Sequence, residues 1–274
     1  MRLWLKKHNI FLQHTFEKPR EIPSVFCFHP KTITMKLLYI CSMLLLMTSC
    51  DTTPSNEPRT HYDNMTIEDY DTLLTVYYPN FSTIEMAYGS TVPTGDDILF
   101  CCGAAFTAEC LKHFTHTNIR CNHVNNGHFY HGSDEPVCNG AFTFYDGEGH
   151  FDRISDSVLH VAAHHKGMGF CQVLTIFEGE IAYTDTLNQD FWIHKDYVFR
   201  ALCEKDGKLC IIESKEKIPY GTFAQYLQDF GVTYAINLDM GGWSHAWYRD
   251  NYNDIIETNS KPIRYATNWL LFKK

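Results

Sequence analysis

The sequence predicts a single α+β domain, a mostly antiparallel or mixed β-sheet flanked by a few helices. Three observations carry that prediction. Short runs rich in β-branched and aromatic residues recur along the chain and end in tight-turn dipeptides, Asp146-Gly147, Glu178-Gly179 and Asp206-Gly207, which suit hairpins. Helical spacing of apolar residues appears in fewer places, so hairpins outnumber helices. The 225 residues from Cys50 to Lys274 hold no second apolar run of membrane-spanning length and suffice for one core.

In chain order, residues 1–34 carry Lys6, Lys7, Lys18, Arg20 and Lys31 without periodicity and are expected to lie outside the mature protein. Met35-Lys36 opens an apolar run, Leu37 to Met47, that closes on Thr48-Ser49-Cys50. A charged start, a short apolar region and a small-residue end define a signal peptide over residues 35–49. Its ending resembles a bacterial lipoprotein box with Cys50 as the lipid anchor, placing the protein in the cell envelope. Eleven residues are too few to cross a bilayer, which takes about twenty. A polar, Pro-containing tether over residues 50–62 precedes the domain at 63–274.

Within the domain, strands are expected at Leu73–Tyr78, Ile84–Tyr88, Ala141–Tyr145 and Cys171–Phe177, with Asn118–Asn126 leading to an Asn-Gly turn. Ala104–Phe114 has apolar residues at 104, 108 and 111, a helical face. Tyr197–Cys203 and Lys208–Glu213 form a hairpin whose two-residue turn sets Cys203 opposite Cys210, a position that permits a disulfide without requiring one. Thr222-Phe-Ala-Gln225 fits a capping box, followed by Phe223, Leu227 and Phe230 on one face and Gly231 as the stop. His164-His165 reads as a polar loop, and Ile263–Phe272 as a return to the sheet.

The remaining stretch organises the chemistry. Val232–Leu238 is a buried strand that delivers Asn237 and Asp239 to the turn Gly241-Gly242, where bare backbone N–H groups can cradle an anion. The same pattern also suits a plain tight turn with Asp239 as its Asx cap.

Ala235-Ile-Asn-Leu-Asp-Met-Gly-Gly242 resembles the Asn-Leu-Asp-Gly-Gly-Gly-Ser signature of the phosphodiester glycosidase family. Asn126-Gly-His-Phe-Tyr130 is similar to that family's Asn-Gly-Gly-Phe-Phe, and Arg200-Ala201 to the arginine before its corresponding hairpin. The three motifs occur in family order and span much of the chain. The resemblance implies hydrolysis of a sugar 1-phosphodiester, with a phosphodiester-linked glycan as partner and no cofactor.

Such a leaving group is already a weak base, so anion stabilisation matters more than a strong proton donor, and the oxocarbenium-like sugar needs a carboxylate nearby. On that basis Asp239 is the catalytic carboxylate, Arg200 the phosphate clamp and Asn126 a further catalytic contact. Asn237, Gly127, His128, Gly241, Gly242 and Ser244 complete the substrate contacts. Met240 and Trp243 depart from the signature; Trp243 either stacks on a sugar or blocks the pocket. A non-catalytic glycan binder is the alternative these two departures raise.

Removing residues 1–49 takes away seven Lys/Arg and two Asp/Glu, leaving 16 basic and 30 acidic residues, net −14. Nucleic acid is therefore not an expected partner. His113 and His116, with Cys110, Cys121 and His123 nearby, raise a metal-dependent hydrolase, but no Cys-x-x-Cys or His-Glu-x-x-His pattern accompanies them and no metal is expected.

Overall fold

The computed structural model describes residues 59–61, 63–107, 119–132, 138–183, 195–239, 245–258 and 268–274. All belong to one compact unit, Asn56–Lys274. Their strands form three sheets, in which every strand pair is antiparallel.

The first sheet has eight strands in the order β1 (Arg59–His61), β2 (Met65–Tyr70), β3 (Leu74–Pro79), β14 (Lys208–Ser214), β13 (Arg200–Lys205), β15 (Tyr234–Asn237), β11 (Leu174–Phe177) and β12 (Glu180–Ile181). The second runs β7 (His128–Tyr130), β6 (His123–Asn125), β10 (Met168–Gln172), β8 (Gly140–Tyr145) and β9 (Glu148–Arg153). The third runs β17 (Ile255–Glu257), β16 (Ala246–Arg249), β5 (Ile98–Gly103), β18 (Asn268–Lys273) and β4 (Thr83–Tyr88). Two helices complete the described residues, α1 (Asp156–His164) and α2 (Tyr220–Asp229).

Strand alternation divides the buried side chains. Leu202, Ile211 and Ile236 of the first sheet face a core that also holds Phe142 and Phe170 of the second and Phe100 and Phe272 of the third. Their neighbours Ala201, Cys203, Cys210, Ile212 and Ala235 point the other way, under Phe223 and Leu227 of α2. Period-two side-chain geometry thus gives the first sheet two apolar faces. α1 buries Leu159 against Val124, Ala141 and Cys171 of the second sheet.

Several expectations change. The β13–β14 hairpin sets Cys203 opposite Cys210 as read, with both thiols free and buried, whereas Cys121 and Cys138 are disulfide-bonded. The capping box at Thr222 is not formed: the N-cap of α2 is Pro219, three residues earlier, and no side chain caps it. His164 closes α1, with His165 as its C-cap, instead of lying in a loop. The stretch read as one strand, Cys171–Phe177, is split at Val173 between the second sheet and the first. Ala104–Thr107 is not helical and ends in a bridge from Thr107 to Ile119; the rest of that expected helix lies outside the described residues. Strand β1 lies within the stretch expected to be tether.

Candidate active site

Two of the three motif segments meet on adjacent strands. β13 and β15 pair with Ala201 opposite Asn237, and the Leu238 N–H donates to the Arg200 carbonyl at 3.0 Å. Paired residues share a face, so Asn237 projects with Ala201, while Arg200 projects with Leu202 toward the three-sheet core. Strand alternation therefore separates Arg200 and Asn237, which the sequence had suggested as joint substrate contacts.

Arg200 is 0% exposed and Glu213 2%. They stand directly opposite across the hairpin, and Arg200 Nη2 donates to Glu213 Oε2. Nη2 also lies 3.5 Å from Thr258 Oγ1. The phosphate clamp expected at Arg200 is thus a buried ion pair: its charge is already balanced, because a lone guanidinium in the interior would be too costly. Burial pushes the neighbouring Cys102 thiol up to about 12, against the opposing pull of Arg200.

The end of β5 anchors both flanks of residues 240–244. On one side the Asp239 N–H donates to the Ala104 carbonyl at 2.8 Å; on the other the Gly103 N–H donates to the His245 carbonyl at 3.3 Å. Gly103 allows this approach, since a Cβ there would lie 3.1 Å from the Asp239 carbonyl oxygen. Arg200 grips both flanks as well, accepting from Leu238 through its carbonyl and donating from Nη1 to the His245 carbonyl at 3.5 Å. The Asp239 carboxylate, half-buried, accepts from Thr107 Oγ1 at 3.2 Å. Asn237 is buried, and its Nδ2 donates to the Leu238 carbonyl at 2.9 Å.

His245 is 4% exposed, with its ring edge-on to Trp269 at 5.9 Å. Desolvation holds its pKa below the usual imidazole value, Arg200 acts in the same direction, and Glu257 opposes them. Sequence reading missed both His245 and Glu213. Counting back from Asp206-Gly207 would have paired residues 200 and 213; His245 has no local signal, since tertiary pairing alone brings it to Arg200.

The third motif sits elsewhere. Asn126 and Gly127 form the β6–β7 turn at φ 48° and 75°. A Cβ on Gly127 would lie 2.9 Å from Lys166 Cα, so the glycine permits close packing beside the end of α1. Asn126 lines a cavity of about 270 Å³ with Glu85, Asp146, His165 and Lys166; neither Arg200 nor Asp239 lines it. His128 is exposed, with Nδ1 3.1 Å from the Asn126 carbonyl. Gly241, Gly242, Trp243, Ser244 and Cys50 lie outside the described residues. No group of three or more metal-ligating side chains occurs among the described residues; Cys110, His113 and His116 lie outside them, and Cys121 is taken up by its disulfide.

No family model and no curated protein sequence matches this chain. Among solved structures, the fold is similar to that of a glycosidase catalytic domain. That structure is the zebrafish N-acetylglucosamine-1-phosphodiester alpha-N-acetylglucosaminidase catalytic domain, auto-inhibited by its pro-peptide. The match covers 79% of this chain and 81% of that one, at 15% identity and a TM-score of 0.51. A hypothetical protein from Synechocystis aligns with 80% of this chain and 61% of its own length, at 12% identity and a TM-score of 0.46. At 15% identity the likeness is one of fold.

Proposed function

We propose that the protein is a hydrolase that cleaves the glycosidic bond of a sugar 1-phosphodiester, releasing free sugar and a phosphomonoester. One observation carries the reading: β13 and β15 bring the Arg200 and Asn-Leu-Asp segments together, in a fold similar to that of a sugar-phosphodiester glycosidase. Asp239 is the carboxylate that stabilises or attacks the anomeric carbon, or takes a proton from the attacking water. Thr107 orients it. Arg200, buried against Glu213, holds Leu238 and His245 in place and acts as a positioning residue.

The same reading places the chain in the bacterial cell envelope, anchored through Cys50. Support comes from the apolar run before Cys50 and from the Cys121–Cys138 disulfide, which suits an oxidising compartment. A glycan binder without turnover is the second reading, favoured by the internal neutralisation of Arg200.

Asp239→Asn decides between them. Hydrolysis requires that this variant lose turnover by at least about a hundredfold while unfolding at the wild-type denaturant concentration. Full turnover in the folded variant would remove Asp239 from the chemistry.

A further inference from the structure

Four segments enclose one cavity that the proposed chemistry does not use: the start of β4, the β6–β7 turn, the β8–β9 turn and the stretch between α1 and β10. Its volume is about 270 Å³. Hydrogen bonds tie its walls together. From the β6–β7 turn the Gly127 N–H donates to the Gly167 carbonyl, just past α1, at 2.9 Å. His165 Nδ1 meets Asp146 Oδ2 of the β8–β9 turn at 2.6 Å. Asn125, only 8% exposed, donates from Nδ2 to the Met86 carbonyl of β4 at 3.0 Å. A cavity braced in this way keeps its shape before a ligand enters, which lowers the cost of binding.

The end of α1 carries a backbone cost at the same place. The Gly167 N–H donates to the Ala162 carbonyl at 2.8 Å and the Lys166 N–H to the Ala163 carbonyl at 3.1 Å. A helix closed by this pair of bonds needs a left-handed residue, which glycine commonly supplies. Here it is Lys166, at φ 56°. Lys166 lines the cavity, and its ammonium has no ion pair among the described residues. A strained residue kept beside a cavity points to use of its side chain.

We propose that this cavity binds a single uncharged sugar ring through its hydroxyls, as a second glycan site apart from Asp239. Size, charge and donor set select that ligand. Pockets for drug-sized ligands run from about 300 to 1,000 Å³, so this smaller one suits one ring. Its charges are balanced: Glu85 pairs with Lys273 at 3.0 Å, and Asp146 stands beside His165 and Lys166. An anion would face two carboxylates, and a cation would face Lys166. The lining instead mixes donors and acceptors, from Ser82 and Thr83 hydroxyls to the Asn126 amide and the Asp146 carboxylate. Each ring hydroxyl both donates and accepts, so such a set matches it. The site rests on these residues and is independent of the hydrolase reading.

Amide NMR spectra of the full chain, titrated with neutral monosaccharides and separately with inorganic phosphate, test the site. At least one monosaccharide should shift the Asn126, Gly147 and Lys166 amides, with a Kd of about millimolar order. Phosphate should leave them in place. Lys166→Gly suits the left-handed backbone, so it should unfold at no lower temperature than the unmodified protein while binding the sugar about tenfold more weakly. Undiminished binding by that variant would overturn the proposal, as would the absence of shifts at these amides with every monosaccharide. Stronger shifts with phosphate would make this an anion site and overturn it too. Shifts confined to Leu238 and Asp239 would place the sugar at the candidate active site, supporting that site and removing this one.

Discussion

At Arg200 and Glu213, position in a hairpin decides chemistry. An arginine before a hairpin reads as a surface cation, but here it faces the core, and the residue opposite it is a carboxylate. The pair stands in for an apolar contact and has to be complete to be tolerated. Glu213→Gln leaves the guanidinium charge uncompensated and should cost about 3–5 kcal/mol in chemical denaturation. Replacing both residues, as Arg200→Met with Glu213→Leu, should cost less than that single change. Were the two singles additive in the double variant, the residues would not act as a unit. Burial of Arg200 was legible only through register. The register itself was fixed by Asp206-Gly207, which takes positive φ at both positions, 51° and 69°.

At the level of elements, what the sequence shows depends on whether the signal is local. Turns at Asp146-Gly147, Glu178-Gly179 and Asp206-Gly207 all form where expected, because a left-handed pair of residues is a local demand. β9, Glu-Gly-His-Phe-Asp-Arg, was missed because Phe151 is its only buried residue, so no alternation marks it. α1 was missed although Ser155 caps it through its hydroxyl, accepting from the Ser157 N–H at 3.3 Å. The opposite error occurred at α2. Thr222-Phe-Ala-Gln225 has the spacing of a capping box, yet Pro219, three residues earlier, is the N-cap and the helix starts after it at Tyr220. Thr222 therefore sits in the first turn without capping it. Thr222→Ala should change stability by less than about 0.5 kcal/mol, whereas loss of a true N-cap costs about 1 kcal/mol. A loss of that larger size on thermal or urea unfolding would restore Thr222 as the cap.

Over the whole molecule, three sheets share one core, and the candidate site forms where the first and third meet. β5 supplies Gly103 and is followed by Ala104, β16 is preceded by His245, β13 supplies Arg200, and β15 is followed by Leu238. No single stretch of sequence specifies that junction. The Asn-Leu-Asp segment announced itself through its apolar run and glycines; Thr107, 132 residues from Asp239, and His245, 45 residues from Arg200, are brought in by long-range contacts that no local pattern encodes, whereas Glu213 follows from the register of the hairpin. Asn126, by contrast, was legible as a turn and lines a cavity that Asp239 does not line. The function we propose for the junction is hydrolysis at an anomeric carbon bearing a phosphodiester. Product analysis of the purified protein with a panel of sugar 1-phosphodiesters measures it most directly. Equimolar free sugar and phosphomonoester should accumulate; a folded protein that releases neither across the panel would contradict the hydrolase assignment.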